Sequence, residues 1–147
     1  MDALPPESPP QWLPVAARWC LGNQLCIDLE VARSPQQQRL GLMQRPALPP
    51  LRGMWFPFSI QQPVSFWMFN TLAPLDMIFV RDGRVLDLVP AGPTCAALPC
   101  RSYAADADGN GRADFVDAVI EIGAGEAQRL VIGIGDPVRI TPLRSSP

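Results

Sequence analysis

The sequence predicts a mainly β fold, a β-rich α+β domain with strands arranged as a compact barrel or sandwich and with one or two short helices. Short runs of β-branched and aromatic residues recur along the chain, separated by turn-forming dipeptides. At 147 residues and 48% hydrophobic, the chain suits one core. We therefore expect a single domain over residues 15–142, between a flexible Pro-rich tail at 1–14 and a C-terminal tail at 143–147.

The first predicted strand covers residues 24–32, where apolar and polar residues alternate. Its apolar face is Ile27, Leu29 and Val31, and its other face is Cys26, Asp28 and Glu30. A helix should follow from Pro35 to about Met43. Ser34 can cap this helix, Pro35 suits its first turn, and Gln37 stands where the second member of a capping box belongs.

The later elements are predicted to be short strands rather than β-α-β units. Asp82-Gly83 between two apolar runs is a strong hairpin signal. Residues 90–117 are rich in turn formers and predict a long loop. The predicted strands are Met54–Phe58, Val64–Phe69, Asp76–Val80, Val85–Val89, Ala118–Ile122 and Val138–Thr141, with a helical turn at Glu126–Val131.

Four cysteines in a chain without histidine favour disulfides over a zinc site. A Gly22-Asn23 turn would bring Cys20 and Cys26 together across a hairpin, and Cys95 and Cys100 bracket a short Pro-containing loop. Of the possible pairings, we predict the local one, Cys20 with Cys26 and Cys95 with Cys100. Four reduced, buried thiols are the alternative. Disulfides would indicate an oxidising compartment.

Charge and hydropathy limit the classes of partner. The net charge is only -2 and the basic residues are scattered, so nucleic acid is not an expected partner. Pro74, Asp76 and Asp82 interrupt the longest apolar runs, so none reaches the roughly 18 residues that cross a bilayer. The N-terminus lacks the pattern of a signal peptide, although a removed segment could have supplied an export signal or anchor.

Several segments carry a family resemblance. They are Arg39-Leu-Gly-Leu-Met43, Gly53-Met-Trp-Phe56, Phe66-Trp-Met-Phe-Asn-Thr71, Pro74-Leu-Asp76 with Phe79, and, near the end, Glu121, Gly123-Ala-Gly125 and Gly133-Ile-Gly-Asp136. In these segments, from about Leu25 to Ile140, the chain resembles the bacterial and archaeal family called domain of unknown function 192. The resemblance implies a small β-rich domain without an assigned activity, often preceded by an export signal or membrane anchor. Together with the cysteines, it predicts an extracytoplasmic location, whether periplasmic, lumenal or secreted.

The polar residues of segment 66–79 form the first candidate site. A buried polar group without a partner costs roughly 1–3 kcal/mol, so Asn70, Thr71 and Asp76 need partners. In one interpretation Asn70 and Thr71 hold a turn by side-chain to backbone hydrogen bonds, while Asp76 pairs with Arg39 or Arg45. In the other, the side chains converge on a cleft for a small molecule or protein partner. The candidate ligand-binding residues are Trp67, Asn70, Thr71, Asp76, Met43, Met54 and Arg45.

The constellations of common catalytic sites are absent from the sequence. The chain has no histidine, no GxSxG elbow, no P-loop and no dinucleotide fingerprint. We therefore expect a non-catalytic binding or assembly module and assign no catalytic residue. The alternative is an enzyme of unassigned type in which Asp76 acts as general base in a small pocket.

A second candidate site is an acidic loop with the spacing of a calcium-binding loop. Its ligands would come from positions 1, 3, 5, 7, 9 and 12 of a twelve-residue loop, with Gly111 at position 6. They are Asp106, Asp108, Asn110, the Arg112 carbonyl, Asp114 and Asp117. Asp117 replaces the usual final glutamate, so we expect modest Ca²⁺ affinity; the alternative is a solvated acidic turn.

Overall fold

The computed structural model describes residues 9–143, and within this range the chain is mainly β with two short helices. The predicted fold class is therefore confirmed. The strands are β1 (Val15–Cys20), β2 (Cys26–Val31), β3 (Arg52–Pro63), β4 (Phe66–Trp67), β5 (Leu75–Arg81), β6 (Arg84–Gly92), β7 (Ser102–Tyr103), β8 (Phe115–Gly123) and β9 (Ile140–Pro142), and the helices are α1 (Pro35–Leu40) and α2 (Glu126–Arg129). Parts of both predicted tails, residues 1–8 and 144–147, lie outside the described residues.

Seven strands form one sheet in the order β6-β5-β8-β3-β2-β1-β9, and β4 and β7 form a separate pair. The sheet does not close into a barrel, and a sandwich-like arrangement is the compatible alternative. One connection contradicts the expectation that β-α-β units are absent, because β2 and β3 pair in parallel. Parallel neighbours require a long crossover, and α1 lies within it. The six residues of α1 were too few to reveal this arrangement by periodicity.

The capping signals of α1 are confirmed, since Ser34 and Gln37 form the predicted capping box. The helix ends at Leu40 rather than Met43, because Gly41 adopts a positive φ of 49°. The other predicted elements form with shifted bounds. Strand β3 extends to Pro63, β4 shrinks to Phe66–Trp67, and the final strand begins at Ile140 rather than Val138.

The sheet buries apolar side chains on both faces, in two clusters. Strand β8 shows the alternation from residue 118 onward, because Ala118, Ile120 and Ile122 belong to one cluster and Val119 to the other. Val116 also belongs to the second cluster, since the β3–β8 register shifts between Val116 and Ala118. The first cluster includes Ala127 of α2 and Val138 of the segment that follows it. The second includes Leu42, which follows α1, and residues of the β4–β7 pair. We call this second side of the sheet the α1 face.

Both disulfides form in the predicted local pairing. Cys20 and Cys26 are paired residues of the β1–β2 hairpin, and their Cα atoms lie 3.9 Å apart. Cys95 and Cys100 close the loop that follows β6, with Cα atoms 6.0 Å apart. Over residues 9–143, no helix has the length and apolar character needed to cross a membrane.

Candidate functional site

Strand β8 places one carboxyl group in the core on the α1 face. Glu121 is only 4% exposed and lies between Met54 of β3 and Met77 of β5, its paired residues on the two neighbouring strands. Gly53 allows β3 to lie close to β8 at this point. A Cβ atom at position 53 would lie only 2.7 Å from the Glu121 carbonyl oxygen, and glycine has none. The strand pairing therefore fixes Glu121 in apolar surroundings.

A small cavity of about 20 Å³ adjoins Glu121. This volume holds one water molecule or one small terminal group of a ligand. Its lining comes from α1, the turn that follows it, β3, β4, the turn at residues 68–71 and β8. It consists of Gln38, Arg39, Leu40, Leu42, Met43, Phe56, Phe66, Trp67, Thr71 and Glu121.

An open groove of about 570 Å³ lies beside the cavity. Gln38, Arg39 and Phe66 line both, so the two spaces adjoin each other. The remaining groove residues are Pro35, Phe58, Gln62, Pro63, Val64 and Ser65. The volume falls within the range of about 300–1,000 Å³ that is usual for small-molecule sites.

The side chain of Gln38 holds helix α1 against the sheet. Its amide nitrogen donates to the carbonyl oxygens of Ala32 at 3.0 Å and Pro57 at 2.9 Å. Arg39 follows on the same helix and is partly exposed. Within residues 9–143, Arg39 makes no ion pair with a carboxylate. An unpaired guanidinium therefore lies where the groove and the cavity meet.

Burial in the apolar core raises the pKa of Glu121 from 4.5 to about 8. The carboxyl group is therefore mostly protonated at pH 7. Desolvation alone accounts for the shift, since no described group donates a hydrogen bond to Glu121 or lowers its pKa by charge. A protonated carboxyl group can donate one hydrogen bond through its O–H and accept others through its oxygens. Glu121 can therefore offer both a donor and an acceptor to a group in the cavity that it lines.

Glu121→Gln should change the pH dependence of folding. The pKa of Glu121 is higher in the folded state, so the folded protein binds more protons than the unfolded chain between pH 4.5 and about 8. Glu121 therefore contributes stability that is fully present below pH 4.5 and is lost as the pH rises to about 8. Over this range the equilibrium constant for folding falls by at most roughly tenfold per pH unit. In urea unfolding at pH 5, 6.5 and 8, the free energy of unfolding of Glu121→Gln should rise relative to that of the wild type as the pH increases. A difference between the two proteins that does not change with pH would contradict a raised pKa.

The structure brings together part of the predicted ligand site. Met43, Trp67 and Thr71 line the cavity with Glu121. Met54 is fully buried beside Glu121 in the sheet. The remaining candidates, Asn70, Asp76 and Arg45, do not line the cavity or the groove.

Asp76 is held by backbone groups, and its predicted pairing with Arg39 or Arg45 is wrong. Its carboxylate accepts hydrogen bonds from the backbone N–H of Ala91 at 2.8 Å, Gly125 at 3.2 Å and Ala127 at 2.9 Å. The residue is 1% exposed. Asp76 thus joins β5 to the end of β6 and the start of α2, a structural arrangement that leaves little access for a substrate proton.

Arg45 pairs with Glu30, which the alternation of β2 had placed on the polar face. The two charged groups form a bidentate pair with N–O distances of 2.6 and 2.8 Å, and both residues are buried. The Trp12 ring covers the guanidinium at 4.0 Å, and Leu13 donates its backbone N–H to Glu30. Contacts from outside the strand therefore bury a residue whose local pattern predicts exposure.

Asn70 and Thr71 lie in a turn, but among the described residues only Thr71 makes the side-chain to backbone hydrogen bond expected there, its hydroxyl donating to the Phe69 carbonyl oxygen at 3.5 Å. Asn70 has a φ of 59°, and its carbonyl oxygen accepts from the Gln44 backbone N–H at 2.9 Å. Its own N–H donates to the Cys95 carbonyl at 3.1 Å. Asn70 thus uses its backbone, rather than its side chain, to link the turn after α1 to the disulfide loop.

The acidic loop gathers three of the predicted metal ligands. Asp106, Asp108 and Asp114 each offer an oxygen, and these atoms lie within 4.8 Å of one another. Asp117 is turned away, since its carboxylate accepts from the Asp82 backbone N–H at 2.9 Å.

Asn110 also takes part in bonds within the loop. Its side-chain oxygen accepts from the backbone N–H of Arg112 at 2.8 Å, and its amide nitrogen donates to Asp108 at 3.2 Å. The three clustered carboxylates thus come from positions 1, 3 and 9 of the predicted loop, and Asp117 at position 12 lies outside the cluster.

Comparison with known proteins identifies the family. The family model described as "Uncharacterized ACR", DUF192, matches residues 19–140. The chain belongs to the DUF192 family. The DUF192 match includes all the residues that line the cavity and the groove, and its description assigns no activity. No curated protein matches at a significant level.

Two solved structures share the fold of this DUF192 domain. A protein of unknown function from Novosphingobium aromaticivorans DSM 12444 is 30% identical, with a TM-score of 0.68, over 91% of this chain and 94% of its own. A Sinorhizobium meliloti 1021 protein, described provisionally as a transcription regulator, is 28% identical, with a TM-score of 0.67, over 86% and 92%. These likenesses cover nearly the whole of each chain.

Sequence reasoning noted Glu121 only as part of the family motif and missed it as a site residue. The signal was a single carboxylate within the apolar run Val119–Ile122, which predicts either an edge position or a buried charge. The sequence could not show that α1 lies across this point of the sheet. Arg39 was likewise considered only as a partner for Asp76.

Proposed function

We propose that this DUF192 protein is a non-catalytic binding module that holds a small ligand in the groove beside α1. The observation that carries the proposal is the groove of about 570 Å³, which meets a cavity lined by a buried carboxyl group that has no hydrogen-bond partner among residues 9–143. Buried polar groups in folded proteins normally have partners, so a reachable one without a partner marks a binding position. A ligand would supply the missing hydrogen bond.

The proposed contacts extend the site predicted from the sequence. Trp67, Thr71 and Met43 remain, while Arg39 and Glu121 are added because they line the same cavity. One structural relative is described provisionally as a transcription regulator. With 12 basic against 14 acidic residues, this chain offers weak electrostatic support for binding phosphates, so we favour a small ligand over nucleic acid.

Filling the groove tests the proposal. Ser65 is exposed and lines the groove, so Ser65→Trp should place an indole ring in the ligand's space. Gln128 is exposed on α2 and lines neither space, which makes Gln128→Trp the matched control. Ligand-observed NMR on small-molecule mixtures would first identify molecules that bind the wild type. Their affinity should fall at least tenfold in Ser65→Trp and stay unchanged in Gln128→Trp. Binders that both variants retain equally would overturn the groove as the site.

We place this module in an extracytoplasmic compartment, supported by its two disulfides. Alkylation of free thiols in intact cells, followed by mass spectrometry, should leave Cys20, Cys26, Cys95 and Cys100 unmodified until a reductant is added. Fractionation should recover the protein outside the cytoplasm. Four alkylated cysteines in a cytoplasmic fraction would contradict this location.

We also propose that the acidic loop binds Ca²⁺ through Asp106, Asp108 and Asp114. Support comes from the loop spacing together with the convergence of the three carboxylates. Excess Ca²⁺ should raise the melting temperature by a few degrees relative to chelator, since a ligand of the folded state stabilises it. Asp108→Asn should reduce this shift, whereas Asp117→Asn should alter basal stability and leave the shift in place. A melting temperature that ignores Ca²⁺ would rule out this ion.

A further inference from the structure

We propose that the ligand of the groove is a monocarboxylate with an apolar tail, its carboxylate lying between Arg39 and Glu121. This inference rests on the proposed function and names the ligand class for the same site. It follows from the charge at the junction of groove and cavity, the hydrogen-bonding capacity inside the cavity, and the apolar side chains that form part of the groove.

Arg39 supplies the charge that selects an anion. It lines both spaces and has no carboxylate partner among residues 9–143. A guanidinium presents a planar fork of N–H donors that matches a carboxylate. A cationic head group at this position would meet a like charge. The junction therefore favours an anion over an amine.

Glu121 supplies a donor rather than a second charge. Its carboxyl is mostly neutral at pH 7, because burial raises its pKa to about 8. In this state its O–H can donate to a ligand oxygen, whereas an ionised Glu121 would repel the same oxygen. Arg39 is the only other charged residue that lines the cavity; the remaining lining residues from α1, the turn after it, β3, β4 and the 68–71 turn are uncharged. Glu121 in its acid form therefore complements an anion.

The sizes of the two spaces separate head from tail. The cavity of about 20 Å³ admits a single oxygen of the head group, so the rest of the ligand must lie in the groove. Phe58, Val64 and Phe66, together with Pro35 and Pro63, offer apolar surface along the groove. An alkyl or aryl chain lying on these side chains would remove their apolar surface from water, which favours binding.

Three probes of equal chain length test the head group, namely octanoate, octylamine and octanol. Calorimetry and NMR chemical-shift mapping on the full chain at pH 7 should show octanoate binding at least tenfold more tightly than the other two. Arg39→Gln should weaken octanoate about tenfold and leave octanol unchanged, and Arg39→Lys should restore part of the loss. Chemical-shift spectra of each variant confirm that it is folded.

The pH profile tests the role of Glu121. Octanoate affinity should fall above about pH 8 in the wild type, because Glu121 ionises. Glu121→Gln retains a donor, so it should bind octanoate at pH 7 with an affinity that stays constant up to pH 9. A wild-type affinity that also stays constant would overturn the role of Glu121.

The remaining outcomes separate this inference from the proposed function. Tighter binding of octylamine, or equal binding of all three probes, overturns the carboxylate inference. If Ser65→Trp weakens the binding of those probes and Gln128→Trp does not, the groove remains the binding site. No binding of any probe, in a protein whose groove binds other molecules in the mixture screen, also overturns the inference while the proposed function stands.

Discussion

Asp76→Ala is expected to destabilise the fold by about 3 kcal/mol or more, because hydrogen bonds to a charged acceptor contribute roughly 1.5–3 kcal/mol each. The substitution removes the acceptor for three backbone N–H groups, those of Ala91, Gly125 and Ala127. The end of β6 and the start of α2 would each lose a hydrogen-bonded link to β5. Urea unfolding followed by tryptophan fluorescence measures the loss.

Asp28→Ala is the matched control for Asp76→Ala. Asp28 also lies on a strand inside the sheet, but its ion pair with Arg18 is exposed. The Arg18 side chain is 44% exposed and the Asp28 side chain 36%. Exposed ion pairs contribute about 1 kcal/mol or less. If both variants lost the same small amount, the three N–H groups would have other partners and Asp76 would be available for chemistry.

Arg45→Met is expected to cost about 3–5 kcal/mol, since it leaves Glu30 buried without a cation. The loss should also free Trp12, whose ring stacks on the guanidinium at 4.0 Å. Chemical unfolding measures the stability, and the emission of Trp12 reports whether the segment before β1 has detached. Arg18→Met serves as the control because its ion pair is exposed.

The double variant Glu30→Met with Arg45→Met separates pairing from packing. Replacing both members of a buried ion pair by apolar residues is often neutral or stabilising, whereas removing one member is not. We expect the double variant to be more stable than Arg45→Met alone. Additive losses would mean that the two side chains act independently, in conflict with their bidentate contact.

Stability and binding are assigned to different carboxyl groups on the two neighbouring strands β5 and β8. Asp76 is saturated by backbone donors, whereas Glu121 is buried without a described partner and adjoins a cavity. An isolated buried carboxyl is costly to retain, because burial penalises its charged form. The cost at Glu121 is the physical reason for expecting a ligand on the α1 face rather than near Asp76.

Local sequence signals predicted the elements whose formation depends on neighbouring residues. The capping box of α1, the Asp82-Gly83 hairpin and the two disulfides each arise from residues a few positions apart. The β-rich class followed from the many short apolar runs between turns. Part of the cavity, the side chains of Met43, Trp67 and Thr71, was also predicted, because these residues belong to recognisable motifs.

Contacts between distant segments decided the rest. The parallel pairing of β2 with β3 places α1 across the sheet, and only this crossing makes a groove beside Arg39 and a cavity over Glu121. The same kind of contact buried Glu30 beneath Arg45 and directed Asp76 to three backbone groups instead of an arginine. The sequence by itself predicted most of the strands and both helices, the cysteine pairing and the family, but not strands β1 and β7. The tertiary structure decided which carboxyl groups are satisfied, because a hydrogen-bond partner far along the chain leaves no local periodicity or spacing to detect.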